Sequence, residues 1–221
     1  MTIALARSRD PIFVSAQELL VNDDYERWMH SLAEHPEVMS RTLGRSIQGR
    51  PIQALTTAPK AEVVYLFGRQ HPPEITGGLA MQSFVDEVFS DSDLANEFRA
   101  RFMLVLVPLI NPDGVAAGHW RHNMGGRDLN RDWGPFTQPE IQSVKRLIDE
   151  LDNAGLAPKL MLDFHSTQRS RFYTQMPEDF DEELDFARDW LDRARLRMPD
   201  FDFLYDPRKP SGQENTKNYF Y

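Results

Sequence analysis

The stretch Val63-Val-Tyr-Leu-Phe67, followed by Gly-Arg-Gln and then His71-Pro-Pro-Glu74, decides how this chain folds. Five consecutive apolar or aromatic residues with no polar alternation suit a strand buried on both faces. Two further runs, 102–110 and 160–164, have the same character. Each run leads into polar residues: the first into His71 and Glu74, the second into Asn111-Pro-Asp-Gly114, the third directly into His165. In open α/β sheets, ligands bind outside the carboxyl ends of the strands. Three polar motifs at three such ends therefore point to one shared site.

Helical patterns lie between these runs. Residues 76–89 carry Leu79, Ala80, Phe84, Val85 and Val88 at helical spacing. Residues 138–151 place Ile141, Val144, Leu147, Ile148 and Leu151 on one face, with Thr137 as the expected N-cap, Pro139 in the first turn and Glu140 completing a capping box. A third helix is expected over 179–197, with Phe180, Leu184, Ala187, Leu191 and Ala194 inward. Strands alternating with helices predict an α/β sheet with several parallel neighbours. Residues 1–60 read as an opening region of the same single domain, spanning 1–221. They hold a short helix over 25–33, then two stretches, 38–43 and 51–56, around a turn with Gly44 and Gly49. Those two predict a hairpin at the sheet edge.

Bulk composition narrows the function. The 221 residues are 41% hydrophobic and carry a formal net charge of −9, which disfavours nucleic-acid backbones and anionic membrane as partners. No cysteine is present, which excludes disulfides, thiolate metal sites and cysteine nucleophiles. No apolar run reaches the length of a membrane span, and the first residues lack the apolar core of a secretory signal. The expectation is a soluble cytoplasmic protein. Motifs of the His-Glu-x-x-His, Gly-x-Ser-x-Gly and Gly-x-x-x-x-Gly-Lys kinds are absent, which lowers thermolysin-like, serine-hydrolase and nucleotide-binding readings.

His71, Glu74 and His165 form a two-histidine, one-carboxylate set, the kind that holds a catalytic zinc and leaves a position open for water. On a helix, residues three apart share a face, so His71 and Glu74 can reach one ion. His165 adds the third donor from the mouth of a strand. The segment Trp120-Arg121-His-Asn-Met-Gly-Gly-Arg-Asp-Leu-Asn130-Arg131-Asp-Trp133 reads as a loop over the sheet edge. Its arginines offer forked donors suited to a carboxylate or an oxyanion. His119 and His122, also three apart, lie mid-loop and suit a rim role; His30 and His35 belong to the surface of the first helix.

His-x-x-Glu, Asn-Pro-Asp-Gly, Trp-Arg…Asp-Leu-Asn-Arg and Asp-Phe-His-Ser, in that order, resemble the zinc metallocarboxypeptidase family (carboxypeptidase A-like) from about Tyr25 onward, including Gly44-Arg-Ser-Ile-Gln-Gly-Arg50. The resemblance implies a three-layer α/β/α fold of the phosphorylase/hydrolase-like kind around a mixed, mostly parallel sheet of about eight strands. It implies one Zn2+ per chain held by His71, Glu74 and His165. Arg121 would polarise the scissile carbonyl, and Asn130 and Arg131 would grip the substrate's terminal carboxylate. The expected substrate is a peptide or acyl-amino acid with a free carboxylate. A related zinc amidohydrolase acting on acyl-amino acids or on glutamyl or cell-wall peptides is an alternative, as is a zinc-binding pseudoenzyme that recognises C-termini.

The chain departs from the family pattern at three points. The family's general-base glutamate would fall beyond Tyr221, so the domain is expected to continue past it; Glu214 is the one nearby carboxylate. The tyrosine that closes over substrate has no clear counterpart near Arg208 and Tyr205. Pro73 replaces an arginine often found between the first His and Glu.

Overall fold

The computed structural model describes residues 7, 9, 10, 12, 14, 15, 17–176, 186–209 and 211–221. Helix α1 (Asn22–Leu32) precedes a hairpin of β1 (Met39–Arg45) and β2 (Pro51–Thr56). Then come β3 (Glu62–Gly68), α2 (Ile75–Val88), α3 (Asp93–Arg101), β4 (Phe102–Val107) and the short α4 (Pro112–Ala117). A single 3-10 turn at Leu129–Arg131 leads to α5 (Pro139–Asn153), β5 (Ala157–Phe164), β6 (Arg171–Gln175), α6 (Phe186–Arg197), β7 (Leu204–Arg208) and α7 (Thr216–Tyr219).

Five strands form the central sheet in the order β1-β2-β4-β3-β5. The strand β3 runs parallel to both β4 and β5, and the hairpin joins antiparallel through β2 against β4, with β1 at the edge. Among the described residues these five strands are what the central sheet contains of the expected eight or so. The strands β6 and β7 form a separate parallel pair.

Side-chain alternation along β3 explains the three layers. Val63, Tyr65 and Phe67 face one side, where they pack with Ile141, Val144, Leu147, Ile148 and Leu151 of α5. Val64 and Leu66 face the other side, against Tyr25 and Met29 of α1 and Met81, Val85 and Val88 of α2. Both faces are thus covered, so these strands are unbroken apolar runs.

Several local expectations shift. The strand expected over 102–110 ends at Val107, because Pro108 has no N–H for the ladder. Helix α5 takes Gln138, not Thr137, as its N-cap. The buried Asp132 does the capping: it accepts from the backbone N–H of Thr137 (3.1 Å), the Thr137 hydroxyl (2.6 Å) and the backbone N–H of Gln138 (2.8 Å). The helix expected over 179–197 is present as α6 from Phe186; residues 177–185 lie outside the described residues. Helices α3 and α4 and strands β6 and β7 lack a periodicity strong enough to stand out in the sequence.

Candidate metal centre

The His-Pro-Pro-Glu segment is a turn, not the first turn of a helix. Glu74 is the N-cap of α2, and its N–H donates to the His71 carbonyl at 3.3 Å. The correction is small, because the turn still aims both side chains at one point. His71 Nδ1 lies 3.0 Å from Glu74 Oε1. From the end of β5, His165 Nδ1 lies 2.6 Å from Glu74 Oε2. One ligand atom from each of the three residues falls within 4.8 Å of the others, and the two imidazole centroids are 4.9 Å apart.

Each imidazole's far nitrogen also meets a carboxylate. His71 Nε2 is 2.9 Å from Asp128 Oδ1, and His165 Nε2 is 2.8 Å from Asp163 Oδ2. Such outer carboxylates fix ring orientation and tautomer and raise the basicity of the inner nitrogen. With Nε2–H donating outward, both Nδ1 lone pairs converge beside Glu74. The donor types and their spacing fit a zinc ion with an open fourth position.

Electrostatics agree. Burial pushes the His165 imidazole down, but the charge and hydrogen bond of Asp163, with those of Glu74, outweigh it and raise its pKa to about 10. Burial likewise opposes charge on Glu74, yet the hydrogen bonds and charges of His165 and His71 bring it down to about 2. His71 is raised for the same reasons, by Asp128 and Glu74. Three carboxylates around two imidazoles make a pocket that favours positive charge.

The loop between α4 and α5 supplies the remaining groups. Arg121 Nε donates to Asp128 Oδ2 at 2.7 Å, so one carboxylate orients both His71 and Arg121. Asn130 sits with its Nδ2 3.2 Å from His165 Nε2. That imidazole hydrogen is directed at Asp163, so the approach is a packing contact and the amide N–H groups remain free to donate elsewhere. Arg131 is half-buried on the same 3-10 turn, with Nη1 donating to the Asn130 carbonyl at 2.5 Å and not to the three donors. Glu214 stands apart: its carboxylate is 3.6 Å from Arg127 and its backbone carbonyl accepts from Trp133 N–H. His119 reaches the His122 carbonyl, away from the donors. Tyr205 shares a hydrogen bond with Thr174, and Arg208 lies over Tyr173.

Asp128, Asp163 and Gln70 carry no role in the sequence reading. Asp128 sat in plain view beside Leu129-Asn130-Arg131, and Asp163 two residues before His165; an acid flanking a proposed histidine ligand was the available signal.

A sequence profile described as zinc carboxypeptidase matches residues 25–183. The chain belongs to the zinc carboxypeptidase family. Mouse cytosolic carboxypeptidase 6 is 34% identical over 155 residues, covering 62% of this chain and 28% of that protein. Cytosolic carboxypeptidase 2 of Xenopus tropicalis is 34% identical over 145 residues, covering 58% of this chain and 14% of the relative. The chain therefore spans under a third of the length of these zinc carboxypeptidase relatives. Among solved structures, a metallo-carboxypeptidase from Burkholderia cenocepacia superposes with a TM-score of 0.70 at 22% identity, over 90% of this chain and 56% of that one. Carboxypeptidase A from Helicoverpa armigera gives 0.69 at 20% identity, over 92% and 61%. These two share the zinc carboxypeptidase fold with this chain. Among the described residues no helix is long and apolar enough to cross a membrane.

Proposed function

We propose that this zinc carboxypeptidase relative binds one zinc ion through His71, Glu74 and His165 and hydrolyses a C-terminal peptide or peptide-like amide bond. The observation that carries the reading is the convergence of both Nδ1 atoms on Glu74, with a carboxylate behind each imidazole. When bound, the ion supplies an acidified water and polarises the scissile carbonyl.

The chain's own residues supply the rest. Arg121 is held by Asp128 through Nε alone. Its terminal nitrogens remain for the oxygen on which negative charge develops, a role worth about 3–4 kcal/mol for a comparable donor. Asn130 presents only N–H groups, because its Oδ1 already accepts from Thr216 N (3.0 Å) and Thr216 Oγ1 (3.1 Å). That polarity suits a substrate carboxylate. Arg131, next along the turn, adds the forked cation that selects a chain end. Glu74, Asp128 and Asp163 are each committed to a histidine, so none of them serves as the base that takes the water's proton.

Metal analysis is expected to find about one zinc per chain, lost in His71→Ala and in His165→Ala. With the full-length gene product, release of the terminal residue from a peptide library, with acyl-amino acids as a parallel arm, should follow zinc loading. Protein that retains no zinc after loading and dialysis would refute the proposed site.

A further inference from the structure

Gln70, the residue before His71, is fully buried and takes no part in the chemistry described so far. Its amide orientation is set by Trp133. The indole N–H is a donor only and donates to Gln70 Oε1 at 2.8 Å. The Gln70 NH2 must therefore face the opposite way. There its two hydrogens divide: one goes to Asp163 Oδ2 at 2.7 Å, the other to Thr216 Oγ1 at 2.8 Å. Asp163 Oδ2 is the same atom that receives His165 Nε2. The Thr216 hydroxyl, having accepted from Gln70, donates to Asn130 Oδ1.

Donation runs from Trp133 through Gln70 to Asp163 and to Thr216, and His165 donates to the same Asp163 oxygen from its own side. One branch ends on a histidine of the candidate metal centre. The other ends on the amide offered to a substrate carboxylate. Gln70, Trp133 and Thr216 are all buried, so water does not readily replace a lost bond.

Building on the zinc hydrolase reading above, we propose that Gln70 is a positioning residue that couples the His165 side of the metal centre to Asn130 and the segment carrying Thr216. By linkage, zinc binding and the ordering of residues 211–221 must then assist each other.

Zinc dissociation constants, measured by chelator competition, and backbone hydrogen exchange of 211–221 with and without zinc test this in the wild-type protein, Gln70→Met and Thr216→Val. Zinc should slow exchange of that segment in the wild type. Gln70→Met should weaken zinc binding by about 10-fold, the lower end for a group supporting a metal ligand. Both variants should lose the zinc-dependent protection of 211–221. Thermal melting of the zinc-free forms checks folding. If Gln70→Met does not fold, Thr216→Val, which keeps the side-chain shape, carries the test. Unchanged zinc affinity in a folded Gln70→Met, or protection that persists in Thr216→Val, overturns the coupling while leaving the metal site standing. A wild-type protein that binds no zinc defeats the hydrolase reading and the coupling with it.

Discussion

At the scale of single residues, Asp128 is the carboxylate with two tasks. It accepts from His71 and from Arg121 on separate oxygens. Burial opposes its ionisation, but the His71 and Arg121 bonds hold its pKa well below the usual carboxylate range. Asp128→Asn removes the charge and turns one acceptor into a donor. Zinc affinity is expected to fall about 10–100-fold, the usual cost of losing such an outer partner, as read by chelator competition. Arg131 makes a sharper functional case. If it grips a free carboxylate, Arg131→Ala raises KM for free-acid substrates far more than for C-terminally amidated ones; equal effects on both would sink that role. The candidate donors, two histidines and a carboxylate, stand out in the sequence because few side chains bind zinc. Asp128 and Asp163 were less so, since a surface acid and an outer metal partner look alike in a sequence.

At the scale of elements, the candidate metal centre depends on how closely α2 approaches the end of β5. Gly77, in the first turn of α2, faces the His165 backbone: a Cβ there would lie 2.6 Å from the His165 carbonyl oxygen. Neither side is a flexible side-chain end, so Gly77→Ala must separate α2 from His165. The expected cost is about 1–3 kcal/mol of overpacking, measured as a lower denaturation midpoint, together with weakened zinc binding. An unchanged midpoint and zinc affinity would show that the approach tolerates a methyl group. The hairpin turn is held in a comparable way. Asp113 is fully buried and accepts from the Ser46 hydroxyl, the Gln48 N–H and Arg50, each at 2.8 Å. Its partner in the motif, Asn111, donates to the Gln70 carbonyl at 3.1 Å. The Asn-Pro-Asp-Gly motif thus ties the β1–β2 turn to the residue preceding His71. The sequence marked the stretch with Gly44 and Gly49 as a turn and Asn111-Pro-Asp-Gly114 only as a polar motif after a strand. That one anchors the other depends on β2 pairing with β4, a contact between segments distant along the chain.

At the scale of the whole molecule, the charges at the centre predict how stability varies with pH. His165 is raised from 6.5 to about 10, so its contribution is complete below pH 6.5 and is lost as pH rises through about 10. Glu74 is lowered from 4.5 to about 2, so its contribution is complete above pH 4.5 and is lost as pH falls through about 2. Chelator-treated protein should therefore draw most stability from this pair between pH 4.5 and 6.5. Zinc bound as proposed would have to displace the histidine protons, so its affinity should grow as pH rises. The difference in melting temperature between zinc-loaded and chelator-treated protein should widen from pH 6.5 towards 10. A difference that stays constant over that interval would contradict the charge state assigned to His165.

The α/β class, the edge hairpin, the main helices and the nomination of three candidate donor residues follow from the sequence by itself. They rest on short-range regularities: unbroken apolar runs make buried strands, helical spacing makes one-faced helices, and polar motifs after strands fall at one end of a sheet. Only the tertiary structure decided which nitrogen of each histidine faces inward, which acids stand behind them, and that one buried glutamine links the His165 side to Asn130. Those facts depend on side-chain directions from β3, β5, the loop before α5 and α7, brought together by packing across the sheet. No spacing along the chain encodes that meeting, because each partner is placed by a different layer of the fold.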